Sequence, residues 1–97
     1  MMRIAVLSSL RSNAADIRAA GVTSLYLFGS AARGELRDDS NINLFVDYDP
    51  AKLSFGGLVS LRDRLTGILG RPVDLTTRDG LDPELRAQIE AEVIKVF

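Results

Sequence analysis

The 97-residue sequence contains no cysteine and no histidine. A disulfide framework and a zinc–thiolate site are therefore excluded, as are a serine–histidine catalytic pair and a histidine metal site. Twelve basic residues against thirteen acidic ones leave a formal charge of −1, which argues against a broad basic surface for nucleic acid. No apolar run approaches the length of a membrane span, and the first residues show no signal-peptide pattern. We therefore expect a cytoplasmic protein that binds no membrane and makes no direct contact with nucleic acid.

Apolar residues make up 46% of the sequence, which is enough for a hydrophobic core in one small domain. Their helical spacing predicts two short helices, or one bent helix, over 2–18. It also predicts a long helix over 53–69 that Gly70 ends. The pair Asp82 and Pro83 predicts the start of a last helix, because an N-cap residue is followed by proline at the first helical position.

Runs of β-branched and aromatic residues predict three strands, at 22–28, 42–48 and 71–76. Between the first two strands a short helix is predicted over 30–35. No repeat, linker or low-complexity segment interrupts the pattern, so residues 1–97 are expected to form a single domain. The mixture of helices and strands indicates an α/β fold with a small mixed β-sheet.

The most informative stretch connects the first two predicted strands. Residues 25–35 read LYLFGSAARGE, so an apolar run ends in Gly29 and Ser30. Gly29 lets the backbone approach a ligand because no Cβ intervenes. Ser30 offers a hydroxyl and an amide at the start of the predicted short helix, where unpaired amides and the helix dipole favour a phosphate. A plain strand-to-helix turn is the alternative explanation of this pair.

Two asparagines follow at the start of the second predicted strand. Residues 39–46 read DSNINLFV, with Asn41 and Asn43 two positions apart. Because successive side chains of a strand point to opposite faces, both asparagines are expected on one face, toward whatever Gly29 and Ser30 bind. Ordinary polar residues at the entrance of a strand are the alternative explanation.

These residues resemble the signature of the minimal nucleotidyltransferases (MNT), a branch of the polymerase-beta-like nucleotidyltransferase superfamily. Members typically read LFGSxARGE and then DSDIDL. The sequence matches this pattern at Leu27 to Ser30, Ala32 to Glu35, Asp39, Ser40, Ile42 and Leu44. It departs at Asn41 and Asn43, where the family has two metal-binding aspartates. The family's third carboxylate is matched by Asp74, and the resemblance covers nearly the whole chain.

The resemblance implies a nucleotidyltransferase-like fold, with the site at the strand ends and helices packed behind the sheet. It implies transfer of AMP from ATP to a protein acceptor. The implied acceptor is a tyrosine hydroxyl of a HEPN protein, a helical RNase toxin for which MNT proteins commonly act as antitoxins. A hetero-oligomer with such a partner is therefore expected.

The resemblance also assigns roles to residues of this chain. The catalytic and metal-binding positions are Asn41, Asn43 and Asp74, which hold two Mg²⁺ ions in active relatives that have aspartate at the first two. Binding of ATP is assigned to Gly29, Ser30 and Arg33. For Arg33, an ion pair with Glu35 or Asp38 is the alternative to phosphate binding.

The two asparagines change what the resemblance implies. Asn41, Asn43 and Asp74 carry one negative charge where three carboxylates carry three. Because Mg²⁺ prefers charged oxygen ligands, we expect severely reduced metal affinity and turnover. A non-catalytic MNT-like module that neutralises a HEPN partner by contact is the alternative function. Deliberate inactivation and natural divergence are both open as the origin of the two asparagines.

The segment 93–97 reads VIKVF and is more apolar than the end of a chain usually is. Two explanations are open. Ile94 and Phe97 contribute to contact with a partner, or they close the core of the chain itself.

Overall fold

In a computed structural model of the protein, residues 3–37 and 39–97 are described. The first three elements are α1 (Arg3–Ser12), α2 (Ala14–Ala19) and β1 (Val22–Phe28). The chain continues through β2 (Ile42–Tyr48), α3 (Phe55–Leu69) and β3 (Val73–Thr77). A 3₁₀ turn (Arg78–Gly80), α4 (Arg86–Glu92) and the short strand β4 (Ile94–Lys95) follow. None of the helices in these two ranges has the length and apolar character needed to cross a bilayer.

The four strands form one mixed sheet in the order β3-β2-β1-β4. Strand β1 runs antiparallel to both β2 and β4, whereas β2 and β3 are parallel. The parallel pair requires a crossover connection, which α3 supplies. The predicted α/β fold, with a small mixed sheet and helices packed behind it, is therefore confirmed.

Helices α1, α2 and α3 pack against one face of this sheet. On that face Leu25 and Leu27 of β1 lie opposite Val46 and Leu44 of β2, and all four side chains are fully buried. The helices add buried aliphatic residues to the same cluster: Val6, Leu10, Ile17, Leu61, Leu65 and Leu69. Burial of one such side chain contributes about 1.5–3 kcal/mol, so this layer is the main hydrophobic core.

The opposite face of the sheet carries an aromatic cluster made of Tyr26, Phe28 and Phe45. The rings of Tyr26 and Phe45 are stacked across β1 and β2 with centroids 4.7 Å apart. The centroid of Phe28 lies 5.7 Å from that of Phe45. Because side chains alternate along a strand, Asn43 and Asp47 lie on the same face as Phe45. This face therefore carries the polar residues predicted to form the site.

Most of the predicted elements are present. The predicted strands at 22–28 and 42–48 are β1 and β2, and the helical segment over 2–18 is α1 followed by α2. Met2, which was included in that segment, lies outside the described residues. Helix α3 ends as predicted at Gly70, whose φ of 69° is a left-handed conformation that suits glycine. Its start lies at Phe55 because the hydroxyl of Ser54 accepts a hydrogen bond from the amide of Gly57.

The predicted short helix over 30–35 is absent, and a compact turn replaces it. One helix-like bond joins the amide of Arg33 to the carbonyl of Gly29 at 3.1 Å, and the amide of Glu35 reaches the carbonyl of Ser30 at 2.8 Å. Gly29 and Gly34 at the two ends have φ values of 75° and 74°. A right-handed helix needs negative φ, so the two glycines confine the chain to a single turn.

Predictions near the end of the chain needed correction. Strand β3 covers Val73–Thr77 and not 71–76. The last helix begins at Arg86 and not at Pro83, because Asp82 starts a separate turn. Its carboxylate accepts a hydrogen bond from the amide of Glu84, and its carbonyl accepts one from the amide of Leu85. The chain is extended again at Val93 and pairs with the open edge of β1 as β4, a strand that the helical pattern did not predict.

Candidate functional site

The predicted site residues meet at one edge of the sheet. Strand β1 ends there at Phe28, and β2 and β3 both begin there. The register pairs Phe28 with Asn43 and Asn43 with Asp74, so the three positions lie side by side across β1, β2 and β3. Gly29 follows Phe28 directly. The structure thus brings together the strand end, the glycine turn and the two strand starts that were predicted from the sequence.

Asn41 and Asp74 are joined by a hydrogen bond. The amide Nδ2 of Asn41 donates to Oδ2 of Asp74 over 3.2 Å, and both residues are exposed. Asn43 is half-buried beside them. The bond occupies one oxygen of the only carboxylate among the three positions. The cluster therefore has one negative charge, which is partly compensated by an amide dipole.

Asn43 also explains the glycine at position 29. A Cβ placed on Gly29 would lie 2.5 Å from Nδ2 of Asn43, closer than any van der Waals contact allows. The φ of 75° at Gly29 is a second reason, because residues with a side chain rarely adopt it. The backbone at Gly29 and the side chain of Asn43 therefore lie closer together than a residue with a Cβ at position 29 would allow.

Ser30 begins the turn that follows Gly29, and it is half-buried. The next two residues, Ala31 and Ala32, are buried in the hydrophobic core. Nη1 of Arg3 donates to the carbonyl of Ala32 over 3.0 Å and so ties the turn to α1. The turn is thus anchored on the core side, and Ser30 directly follows Gly29, which lies against the side chain of Asn43.

Arg33 is bound by two carboxylates. Its Nε lies 3.1 Å from Oε2 of Glu35, and its Nη1 lies 3.2 Å from both carboxylate oxygens of Glu92. The hydrogen bonds with Glu35 and then with Glu92 raise the pKa of the Arg33 guanidinium above its ordinary value. The pairing with Glu35 that was predicted as an alternative is confirmed. The alternative partner Asp38 lies outside the described residues.

Glu92 was missed by the sequence reasoning. It lies 59 positions from Arg33 in the chain, and no local pattern marks it. Arg71 was missed as well; its Nη1 donates to the carbonyl of Arg37 and joins the loop before β2 to the start of β3. Both contacts link segments that only the folded chain brings together.

The residues present do not fit a pair of magnesium ions. Within residues 3–37 and 39–97, no group of three or more histidine, cysteine, aspartate or glutamate side chains is arranged to hold a metal. Two Mg²⁺ ions close together need several carboxylates to offset their charge. Here Asp74 supplies one carboxylate, and an amide group of Asn41 already donates to it.

An apolar groove lies at the other end of the strands. Its volume is about 320 Å³, and it is lined by Tyr48, Leu53, Ser54, Phe55, Leu58, Thr76 and Thr77. Asn43 and Asp74 are three register positions away from Val46 and Thr77, near which the groove lies. The groove is therefore separate from the polar cluster, whose chemistry identifies the candidate site.

Comparison with protein families gives one match that covers most of the chain. The profile of the family described as polymerase beta, nucleotidyltransferase matches residues 14–97. A Methanocaldococcus jannaschii protein, provisionally assigned as a protein adenylyltransferase, is 39% identical over 77 residues, which are 77% of this chain and 77% of the relative. The protein adenylyltransferase MntA of Thermococcus cleftensis is 33% identical over 78 residues, covering 78% of this chain and 76% of that protein.

Solved structures share the fold. A protein provisionally assigned as a minimal nucleotidyltransferase superposes with a TM-score of 0.68 at 37% identity, over 95% of this chain and 86% of that one. A toxin–antitoxin structure with AMP-PNP superposes with a TM-score of 0.69 over 98% of this chain and 72% of that one. At 23% identity the second likeness concerns the fold alone.

Proposed function

Because this chain belongs to the polymerase-beta nucleotidyltransferase family, we propose that residues 1–97 form one minimal nucleotidyltransferase domain whose native activity transfers AMP from ATP to a protein acceptor. The observation that carries the proposal is the meeting of Asn43, Asp74 and the Gly29 turn at one sheet edge. The identity to protein adenylyltransferases over three quarters of the chain supports AMP as the transferred group and a protein as the acceptor.

In this proposal Gly29 and Ser30 bind the triphosphate. The absence of a side chain at Gly29 lets a phosphate approach the backbone, and the hydroxyl of Ser30 donates a hydrogen bond to it. The acceptor hydroxyl oxygen forms a bond to the α-phosphorus of ATP while the bond from that phosphorus to the bridging oxygen breaks. Pyrophosphate leaves, and the hydroxyl proton passes to solvent or to a nearby base.

The second element of the proposal is that this chain is impaired in transfer as its sequence stands. Positions 41, 43 and 74 are those at which active relatives are expected to hold Mg²⁺. The amides of Asn41 and Asn43 leave too little negative charge for two such ions. The hydrogen bond from Asn41 to Asp74 supports this, because the remaining carboxylate is engaged with an amide.

The partner proposed for the native protein is a HEPN-type RNase toxin, with one of its tyrosine hydroxyls as the acceptor. This part comes from the family resemblance. The shared fold with a toxin–antitoxin structure that contains AMP-PNP agrees with it. A hetero-oligomer with the toxin follows from this role, and a cytoplasmic location stays a prediction from the sequence.

One observation favours a second candidate function, that of an antitoxin acting by contact alone. With asparagine at 41 and 43 the strand register and the turn at Gly29 are present, but one carboxylate, Asp74, stands where three are expected. A module of this kind binds its toxin and needs no AMP transfer. The two functions differ in whether carboxylates at positions 41 and 43 produce AMP transfer to the toxin.

The deciding experiment restores both carboxylates. We expect the Asn41→Asp/Asn43→Asp variant, incubated with labelled ATP, MgCl₂ and a HEPN RNase, to label the RNase, whereas the present sequence labels it weakly or not at all. Asn13→Asp is the matched control, because Asn13 is the one other asparagine of the sequence and lies in the turn between α1 and α2. It produces no gain in labelling.

The same samples are assayed for RNase inhibition and for complex formation by sedimentation. Inhibition that accompanies labelling supports the enzyme. Equal inhibition by both sequences, with no label in either, would refute AMP transfer and favour the contact antitoxin.

A further inference from the structure

The guanidinium of Arg33 makes contacts with three carboxylate oxygens. Its Nη1 is 3.2 Å from each oxygen of Glu92, and its Nε is 3.1 Å from Glu35. The side chain of Glu92 is 21% exposed, against 64% for Glu35. The Glu92 pair is therefore less screened by water than the Glu35 pair.

Glu92 stands at a junction between the site and the end of the fold. It is the last residue of α4, and β4 begins two residues later. In β4, Ile94 pairs with Leu27 of β1, two positions before Gly29. The segment that carries Glu92 is thus fixed to the same strand that leads into the site turn. Two independent connections, a strand ladder and an ion pair, join this segment to the turn.

Arg33 also belongs to the turn through its backbone. Its amide donates to the carbonyl of Gly29 over 3.1 Å, in the turn that begins with Ser30. Nε and Nη1 of this guanidinium are engaged by Glu35 and Glu92, so its charge is already compensated by two carboxylates. Holding the turn needs no rearrangement of these contacts. The geometry therefore assigns Arg33 to the support of the turn.

We propose that Glu92 is a positioning residue: through Arg33 it fixes the turn 29–34 in the shape in which Ser30 binds phosphate. Arg33 itself does not contact the nucleotide. This inference deepens the proposed function and rests on nucleotide binding at Gly29 and Ser30. Positioning by Glu92 and direct phosphate binding by Arg33 predict opposite changes in ATP affinity when the Glu92 charge is removed. Loss of the Glu92 charge weakens ATP binding if Glu92 positions the turn, and strengthens it if Glu92 merely competes with phosphate for Arg33.

The experiment measures ATP affinity by titration calorimetry in a Glu35→Gln background, which removes the more exposed partner. We expect Glu92→Gln to weaken ATP binding by roughly five-fold, the upper range for a partly exposed ion pair. Glu90→Gln is the matched control, because Glu90 lies on α4 and pairs with Arg78, away from the turn. It leaves ATP affinity within about two-fold.

A charge exchange separates positioning from direct contact. Arg33→Glu alone weakens ATP binding, and adding Glu92→Arg restores it to within roughly three-fold of the background, because the pair is rebuilt in reverse. If Arg33 binds phosphate directly, the exchanged pair is not restored, because a carboxylate then faces the triphosphate. Unrestored binding, or tighter binding by Glu92→Gln, overturns the proposal.

Hydrogen exchange without nucleotide keeps the test independent of the proposed function. We expect Glu92→Gln, but not Glu90→Gln, to accelerate exchange of the amides of Gly34 and Glu35, which close the turn. Unchanged exchange in both variants overturns the proposal. Absence of ATP binding by the background protein itself contradicts the nucleotide site, and the exchange result then still decides whether Glu92 positions the turn.

Discussion

Asn41 and Asn43 have the shape of aspartate without its charge. Replacing both by aspartate would change the formal charge of the chain from −1 to −3. Under the proposed function, asparagine at these positions removes metal ligands, but it also removes groups that would repel a triphosphate. Binding and chemistry can therefore separate in this protein. Contacts from Ser30 do not depend on the residues at 41 and 43, so we expect ATP to bind the present sequence.

The hydroxyl of Ser30 tests that expectation. A hydrogen bond to a charged phosphate oxygen is worth about 1.5–3 kcal/mol. Ser30→Ala is therefore expected to weaken ATP binding roughly tenfold or more in titration calorimetry. Ser60→Ala, on the exposed surface of α3, is the control and leaves affinity unchanged. Equal affinity in the Ser30 variant would show that this hydroxyl does not contact phosphate.

Comparison of Gly29 with Gly70 separates the effect of backbone strain from that of steric crowding at the site. Gly29 and Gly70 have nearly equal φ values, 75° and 69°, but only at Gly29 would a Cβ collide with Asn43. We expect both alanine variants to lose about 1 kcal/mol of unfolding free energy from strain. Only Gly29→Ala also displaces Asn43 and weakens ATP binding. The two quantities are measured by urea unfolding and by titration.

A loss of ATP affinity in Gly70→Ala equal to that in Gly29→Ala would contradict this account. It would mean that general destabilisation, and not the contact between Gly29 and Asn43, controls the site.

Among the secondary-structure elements, α4 depends on charge more than on burial. It has no buried residue. Its neighbour Arg78 makes two hydrogen bonds to Asp47 of β2, at 2.9 and 3.0 Å, and pairs with Glu90 of α4 at 3.4 Å. The Arg78 guanidinium also lies 5.0 Å from the ring centroid of Tyr26. Arg78 thus connects the aromatic face of the sheet to the last helix.

The Asp47–Arg78 ion pair makes the stability of the fold depend on pH. The hydrogen bond from Arg78 lowers the pKa of Asp47 below its ordinary value of 3.8. Its contribution to stability is therefore complete above that value and is lost as the pH falls through the lowered pKa. We expect Asp47→Asn to cost about 1 kcal/mol at neutral pH. This difference should shrink below pH 3.8 in urea unfolding.

The exposed Asp63, paired with its neighbour Arg62, provides the comparison. Asp63→Asn is expected to change the unfolding free energy by less than about 0.5 kcal/mol. A cost for Asp47→Asn that stays constant down to pH 2 would show that the ion pair is not its source.

On the scale of the whole molecule, the C-terminal segment closes the fold. Val96 is buried, and its amide donates to the carbonyl of Leu25 over 2.8 Å. Nε of Arg11 in α1 donates to the carbonyl of Val96 over 3.1 Å. Ile94 and Phe97 pack against the main core. Of the two explanations open for the apolar segment 93–97, the structure supports closure of the chain's own core.

Shortening the side chain of Val96 should therefore destabilise the entire fold. We expect Val96→Ala to cost about 2 kcal/mol, which lowers the melting temperature by roughly 10 °C in a chain of this size. Lys95→Ala, one position earlier and exposed, is the control and changes it little. Equal melting temperatures of the two variants in calorimetry would contradict a closing role for this segment.

Local patterns in the sequence determined the elements whose signals lie within a few residues. Strands β1 and β2 and the end of α3 at Gly70 follow from side-chain type, periodicity and glycine conformation. The motif around Gly29 and the spacing of Asn41 and Asn43 predicted which residues share the site edge, because the strand period is local as well.

The tertiary structure alone decided the contacts between distant segments. β4 exists because the edge of β1 was open to pairing, although the sequence before it reads as helix. The partner of Arg33 is Glu92, 59 positions away, and the partner of Asn41 is Asp74, 33 positions away. Such pairs depend on register and packing across the sheet, which no short stretch of sequence encodes.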